Sequence, residues 1–151
     1  MSDWRYSRIT DTESAEPYMD RWIVTFVTGH QLRLHHILRS DQGRDFHDHP
    51  FTCLTLILWG GYWEIRPRQW LQKVTGGRYP STAVHYQWYG PGSCRKLLVD
   101  GVPHRVELQG GRTAWTLVWA WPKTKMWGFW LGKGEDARWI PHYNYDYRGD
   151  S

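Results

Sequence analysis

The chain has 151 residues, 40% of them apolar, with a formal net charge of +4 and a pI near 9.2. That length suits one compact domain over residues 1–151 and is too short for two. The 19 basic residues stand singly apart from Arg95-Lys96, which forms no basic patch and argues against a nucleic-acid partner.

No run approaches the roughly 18 apolar residues of a membrane span, and the opening MSDWRYSR lacks a secretory apolar stretch. The expectation is a cytoplasmic protein without membrane contact. Cys53 and Cys94 are far apart and form no C-x-x-C pair, which points to reduced thiols rather than a zinc knuckle or disulfide framework. A content of 15 Gly, 8 Pro, 12 Trp and 9 Tyr favours strands and tight turns, so the fold class expected is all-β.

In chain order, Asp11 to Arg21 carries the single helical signal, a short turn capped by Thr12 or Ser14 and limited by Pro17. Trp22 to Thr28 and Gln31 to Leu38, joined at Gly29-His30, read as an antiparallel strand pair. After the turn Ser40 to Gly43, a long strand is expected from Phe46 to Trp59, interrupted at Pro50. Gly60-Gly61 then reads as the turn of a hairpin with Tyr62 to Arg66. Lys73 to Ser81 has the composition of a loop. Val84 to Tyr89, Cys94 to Val99, Pro103 to Leu108, Thr113 to Trp121 and Trp127 to Leu131 follow as strands between Gly- and Pro-containing turns. Many short strands at this spacing suggest a sandwich or closed barrel whose core covers about residues 22–131, with extensions at both ends.

Chemistry concentrates in Asp45-Phe-His47-Asp48-His49-Pro50. Histidines at i and i+2 on a strand share a face, so both imidazoles reach one ion inside a barrel. Asp48 points the other way, and Phe51, Cys53, Thr55 and Ile57 inherit the inward parity. His104, opening the alternating run His104 to Leu108 after a turn, is the third metal-ligand candidate. The plainer alternatives are a polar loop pair at His47 and His49 and an ordinary turn before His104.

These residues resemble the motifs of the cupin superfamily. Its first motif, H-x-H, a spacer, Glu, six residues and Gly, is met by His47 and His49, then, after three intervening residues, by Cys53 at the Glu position and, after six more, by Gly60. Its second motif, Gly, two residues and His, is met by Gly101 and His104. Cys53 stands where cupins usually carry glutamate, Val99 where they carry proline and Leu108 where they carry asparagine. The resemblance implies a double-stranded β-helix, or jelly roll, with a metal on three histidines.

Cysteine at the glutamate position with three histidine ligands is similar to the thiol dioxygenases, although Thr116 to Pro122 lacks the histidine and tyrosine those enzymes place near the substrate. The sequence also looks like small bacterial and phage cupin-like proteins. The resemblance implies iron(II) as cofactor. Zinc, nickel, manganese and copper also suit an open histidine site.

Glu64 is a candidate fourth ligand, catalytic base or surface charge, and Cys53 is a small pocket-lining group without a feature that lowers its pKa. His35, His36 and His85 lack partner spacing, and His36 shares the parity of Leu32, Leu34 and Leu38, which would turn it inward. Trp59, Trp115 and Trp119, with Trp121, either pack the core or shape an aromatic substrate pocket. Arg33, Arg66 and Arg105 either hold a carboxylate or are solvated. Two functional classes follow. One is a metal-dependent enzyme acting on a small molecule, an iron(II) oxygenase first and an isomerase or lyase using Glu64 second. The other is a non-enzymatic ligand-binding or structural cupin. The edge strands and the aromatic tail Trp139 to Tyr147 suggest a homodimer.

Overall fold

A computed structural model describes residues 3–10, 14–41, 45–68, 83–132 and 137–146. Its strands are β1 (Asp3–Thr10), β2 (Pro17–Thr25), β3 (Gln31–Ile37), β4 (Phe46–His47), β5 (Cys53–Trp59) and β6 (Tyr62–Pro67). They are followed by β7 (Val84–Tyr89), β8 (Cys94–Leu97), β9 (Arg105–Leu108), β10 (Ala114–Ala120), β11 (Gly128–Leu131) and β12 (Arg138–Pro141), then a 3-10 turn at His142–Asn144. No helix among the described residues is long and apolar enough to cross a membrane.

One layer is a six-stranded antiparallel sheet in the order β1-β2-β3-β10-β5-β8. The other is assembled from two three-stranded sheets, β7-β6-β9 and β12-β11-β4. Among the described residues one bridge joins them: the His47 N–H donates to the His104 carbonyl and the His104 N–H to the His47 carbonyl, both at 2.9 Å. The second layer is therefore closed at two of the three candidate metal ligands, and the architecture is the expected all-β jelly roll.

The strand residues alternate cleanly in β10, where Ala114, Thr116, Val118 and Ala120 are buried and Trp115, Leu117 and Trp119 are only partly so. The interior has two apolar clusters. Ile37, Ile57, Tyr62 and Ala114 form one, backed by Met19, Tyr89, Val106 and Leu108. Phe51, Cys53, Val118 and Ala120 form the other, with Leu97 against it. Fully buried aliphatic side chains such as Ile23, Ile57 and Ile65 each stabilise the fold by about 1.5–3 kcal/mol. Polar groups share the same inner face: His35 opposite Thr116, then Arg33 and Thr55 on either side of Val118, with Arg95 beside Thr55.

Three expectations are corrected. The helical signal ends in a strand, because β2 begins at Pro17; a left-handed bend at Ala15 (φ 56°) turns the chain before it, and residues 11–13 lie outside the described set. Proline is tolerated as the first residue of a strand, and the β-branched and aromatic residues Trp22, Ile23 and Val24 favour extension. The polar opening itself forms β1, which pairs with β2 from Asp3↔Thr25 onward.

The second correction concerns Gly60-Gly61, which closes no hairpin. Both edges of β5 are taken, by β10 and β8, whereas β6 pairs with β7 and β9 in the opposite layer. The two glycines form a corner between layers. Gly60 sits at φ +74°, and a Cβ there would lie 2.1 Å from the Thr113 carbonyl oxygen, which excludes any side chain.

His36 is the third correction. The inner face of β3 is Arg33, His35 and Ile37, opposite the buried Val118, Thr116 and Ala114. His36 lies on the outer face, flat against Trp115 (4.1 Å between centroids, 10° between planes) and bonded to the Thr113 hydroxyl at 3.1 Å. The expected loop at Lys73 to Ser81 lies outside the described residues.

Candidate metal centre

His47 ends β4, whose short pairing with β11 matches it to Phe129. His49 lies beyond the strand, so strand parity does not orient it. Asp48 does. Its buried carboxylate accepts hydrogen bonds from the Gly128 N–H (2.8 Å), Lys125 Nζ (2.7 Å) and Trp139 Nε1 (3.1 Å). With Asp48 held outward by three donors, the flanking histidines turn the other way. The Pro50 carbonyl is in turn held by the Thr124 N–H at 3.0 Å.

His47, His49 and His104 each offer a ring nitrogen, and the three nitrogens lie within 4.8 Å of one another. The Nε2 atoms of His49 and His104 are 2.7 Å apart. The rings meet edge to face, with centroids 4.8–5.2 Å apart, so they converge on a point instead of stacking. Burial pushes the pKa of both His49 and His104 well below the ordinary histidine value, and the neighbouring imidazoles and Arg95 push the same way. Both rings are therefore neutral at physiological pH and keep the lone pair a metal needs.

Two carboxylates stand behind the cluster. Glu64, 0% exposed on β6, is hydrogen-bonded to His104 Nδ1 and to Arg66 Nη2, the latter at 2.9 Å, and forms an ion pair with Arg95. Asp41 lies 3.4 Å from His47 Nδ1 and is held by the Tyr18 hydroxyl and the Val106 N–H (2.7 Å). A carboxylate on Nδ1 fixes the tautomer with Nε2 turned to the ion and raises ligand basicity. Glu64 thus stands against the far side of a histidine with both oxygens engaged.

Among the expected pocket residues, Cys53 is buried on the inner face with Sγ 3.9 Å from the Thr55 hydroxyl, and burial raises its thiol pKa. The three tryptophans are not brought to the cluster. Trp59 is 62% exposed, Trp115 stacks on Trp22 at 5.7 Å, and Trp119 packs on Phe26 and His30 across the outer face. The reason is volume: small residues of β10 take the inner positions, so the large rings on alternate positions must face out. The aromatic rings that do approach are Phe51, 6.2 Å from His49, and Trp127 and Phe129, 6.3 and 6.2 Å from His47.

His35 and His85 stand apart from the cluster. His35 Nε2 has no hydrogen-bond partner among the described residues, and burial, reinforced by Arg33 and Arg21, lowers its pKa to about 3. His85, on β7, pairs in register with Arg66 of β6. Of the candidate arginines, Arg33 is buried on the inner face, Arg66 engages Glu64, and Arg105 bonds Glu107 at 2.8 Å.

No family model matches the chain, and no curated protein matches its sequence. Solved structures do. The iron(II) form of HppE superposes with a TM-score of 0.52 at 9% identity, over 78% of this chain and 57% of that one. Hydroxypropylphosphonic acid epoxidase from S. wedmorenis gives 0.51 at 9% identity, over 78% and 56%. A single-substitution variant of the B. subtilis oxalate decarboxylase gives 0.51 at 12% identity, over 82% and 28%. All three are cupin-fold proteins, and at these identities the likeness shows the fold alone. The chain spans little more than half the length of the first two and under a third of the last.

Proposed function

We propose that this chain, whose fold is the cupin jelly roll, is a metal-dependent enzyme, and specifically a non-haem iron(II) oxygenase acting on a small organic substrate bound inside the barrel. The observation that carries the reading is the convergence of three imidazole nitrogens within 4.8 Å, two of their rings backed by carboxylates. Three imidazole nitrogen donors fit a divalent first-row ion and leave coordination positions open for substrate. His47, His49 and His104 would hold the ion, which when bound supplies Lewis-acid polarisation and, as iron(II), oxygen chemistry. Iron is favoured over zinc, nickel, manganese or copper because a protein of the same fold, HppE, is recorded with iron(II).

The chain's own residues have distinct parts in this scheme. Glu64 and Asp41 stand against Nδ1 of His104 and His47 and orient the two rings. Phe51, Trp127 and Phe129 surround the cluster with apolar surface and exclude water. Glu64, its oxygens shared among His104, Arg95 and Arg66, is a positioning residue here; this weighs against an isomerase or lyase that would use it as a proton carrier.

The test is metal analysis of protein purified anaerobically without added metal, beside the His47→Ala/His49→Ala variant, followed by dioxygen-uptake screening. Near-stoichiometric iron that is lost in the variant, with substrate-dependent oxygen uptake, is the expected result. Metal in neither protein would overturn the reading and leave a ligand-binding or structural cupin. Tightly held metal without oxygen uptake would overturn the oxygenase assignment alone.

A further inference from the structure

Among the described residues, the barrel interior holds more positive charge than its carboxylates balance. Glu64 already serves Arg95, Arg66 and His104, and Asp41 serves His47. Arg33, on the inner face of β3 and only 6% exposed, has no carboxylate partner among the described residues. Its contacts are the Gln31 side-chain oxygen, which accepts from Nε (2.9 Å) and Nη2, and the Phe51 ring, 4.3 Å below Cζ. Burying an unpaired guanidinium is costly, and retaining one is reasonable where a ligand supplies the missing charge.

The donor count points to the ligand's shape. A guanidinium carries five N–H groups in a planar fork. Gln31 takes Nε and one bond from Nη2, which leaves the Nη1 and Nη2 end of the fork, the edge that meets a carboxylate with two parallel bonds. Placement agrees. Arg33 shares the Phe51 ring with His49, which lies 6.2 Å from it. Across the sheet, Arg95 occupies the same inner row as Arg33 three strands away, about 14 Å between backbones, and is already engaged by Glu64 and the Tyr89 ring.

We propose that Arg33 is the specificity determinant of the barrel and binds a carboxylate group of the substrate beside the three-histidine cluster. The substrate class is then a small organic acid, its carboxylate on the Arg33 fork, its body against Phe51, and its reactive part toward His47, His49 and His104. Gln31 holds the guanidinium plane in position. The assignment rests on the reading of the barrel as a substrate site, but the binding it predicts does not require the oxygenase chemistry.

The experiment is calorimetric titration with succinate and benzoate, each against its neutral amide, and with inorganic phosphate. Wild type, Arg33→Met and Arg33→Lys are compared, metal-loaded and after chelator treatment. Wild type is expected to bind carboxylates at least tenfold tighter than amides. Arg33→Met should lose that preference with its metal content unchanged, and Arg33→Lys, which keeps the charge without the fork, should fall between.

Equal binding of acid and amide by wild type, or wild-type behaviour in Arg33→Met, would overturn the proposal; phosphate binding tighter than either acid would overturn the carboxylate assignment. Should Arg33→Met fail to fold, the acid-against-amide ratio of wild type and Arg33→Lys decides. An Arg33-dependent preference in a protein that takes up no metal would refute the metal reading while leaving this one standing.

Discussion

The two faces of the six-stranded sheet carry opposite chemistry, and the polar one is inside. Outside, Tyr6, Trp22, Trp115 and His36 form a continuous aromatic stack, and Phe26, Trp119 and His30 form a second. Inside, Arg33, His35, Thr55, Arg95 and Thr116 sit among small apolar residues. A domain built for stability alone would place its rings inside and its guanidiniums outside. The inversion is what the proposed substrate site requires, and the two apolar clusters on the same face hold the barrel together.

The contrast breaks most sharply at the histidines. His49→Ala and His104→Ala should each lower metal affinity by at least about 100-fold, read as metal per chain after dialysis, while His85→Ala keeps full metal; a full complement in both cluster variants would remove the site. Glu64 comes next. Glu64→Gln, which keeps the shape, should weaken metal about 10–100-fold through His104. Glu64→Leu, which strands Arg95 and Arg66, should cost about 3–5 kcal/mol in denaturant unfolding. Unchanged metal affinity in Glu64→Gln would show that the carboxylate serves packing only.

His35 sharpens the comparison through pH. Its pKa is about 3 in the fold against 6.5 for an unburied histidine. As pH falls below 6.5 the unfolded chain takes up this proton and the folded chain does not. Stability is therefore lost on acidification from about pH 6.5 to about pH 3, at about 1.4 kcal/mol per pH unit for this one group. Urea midpoints of metal-free protein at several pH values should show the slope, and His35→Leu should reduce it by one proton's worth. Equal slopes in the two proteins would place His35 in water.

The smallest effects belong to the outer face. Trp115→Ala, which opens a stack between Trp22 and His36, should cost about 2 kcal/mol, whereas the exposed Trp59→Ala should stay within about 0.5 kcal/mol. Both should leave metal content intact; loss of metal in Trp115→Ala would join the two faces energetically.

Most of the strands were legible from local composition, and the three histidines from spacing and motif, because both signals lie within a few residues of one another. What oriented His49 was not legible. Asp48 finds its donors at Lys125, Gly128 and Trp139, 77 to 91 residues away. Glu64 reaches His104 across 40 residues, and Asp41 reaches Val106 across 65. The opening strand β1 carries no local signal of its own, because its charged, exposed sequence gains its hydrogen bonds only by pairing with β2.

By itself, then, the sequence determined the β class, the alternation within each strand and the identity of the three histidines, since these follow from backbone preference and short-range periodicity. Which side of each alternation faces the interior was decided only by tertiary structure. Period-two patterning is symmetric between a sheet's two faces, and the opposing layer breaks that symmetry. Here it brings Glu64, Tyr62 and His104 against β5, β8 and β10, leaving room for alanine, threonine and inward-reaching arginines and sending the tryptophans outside.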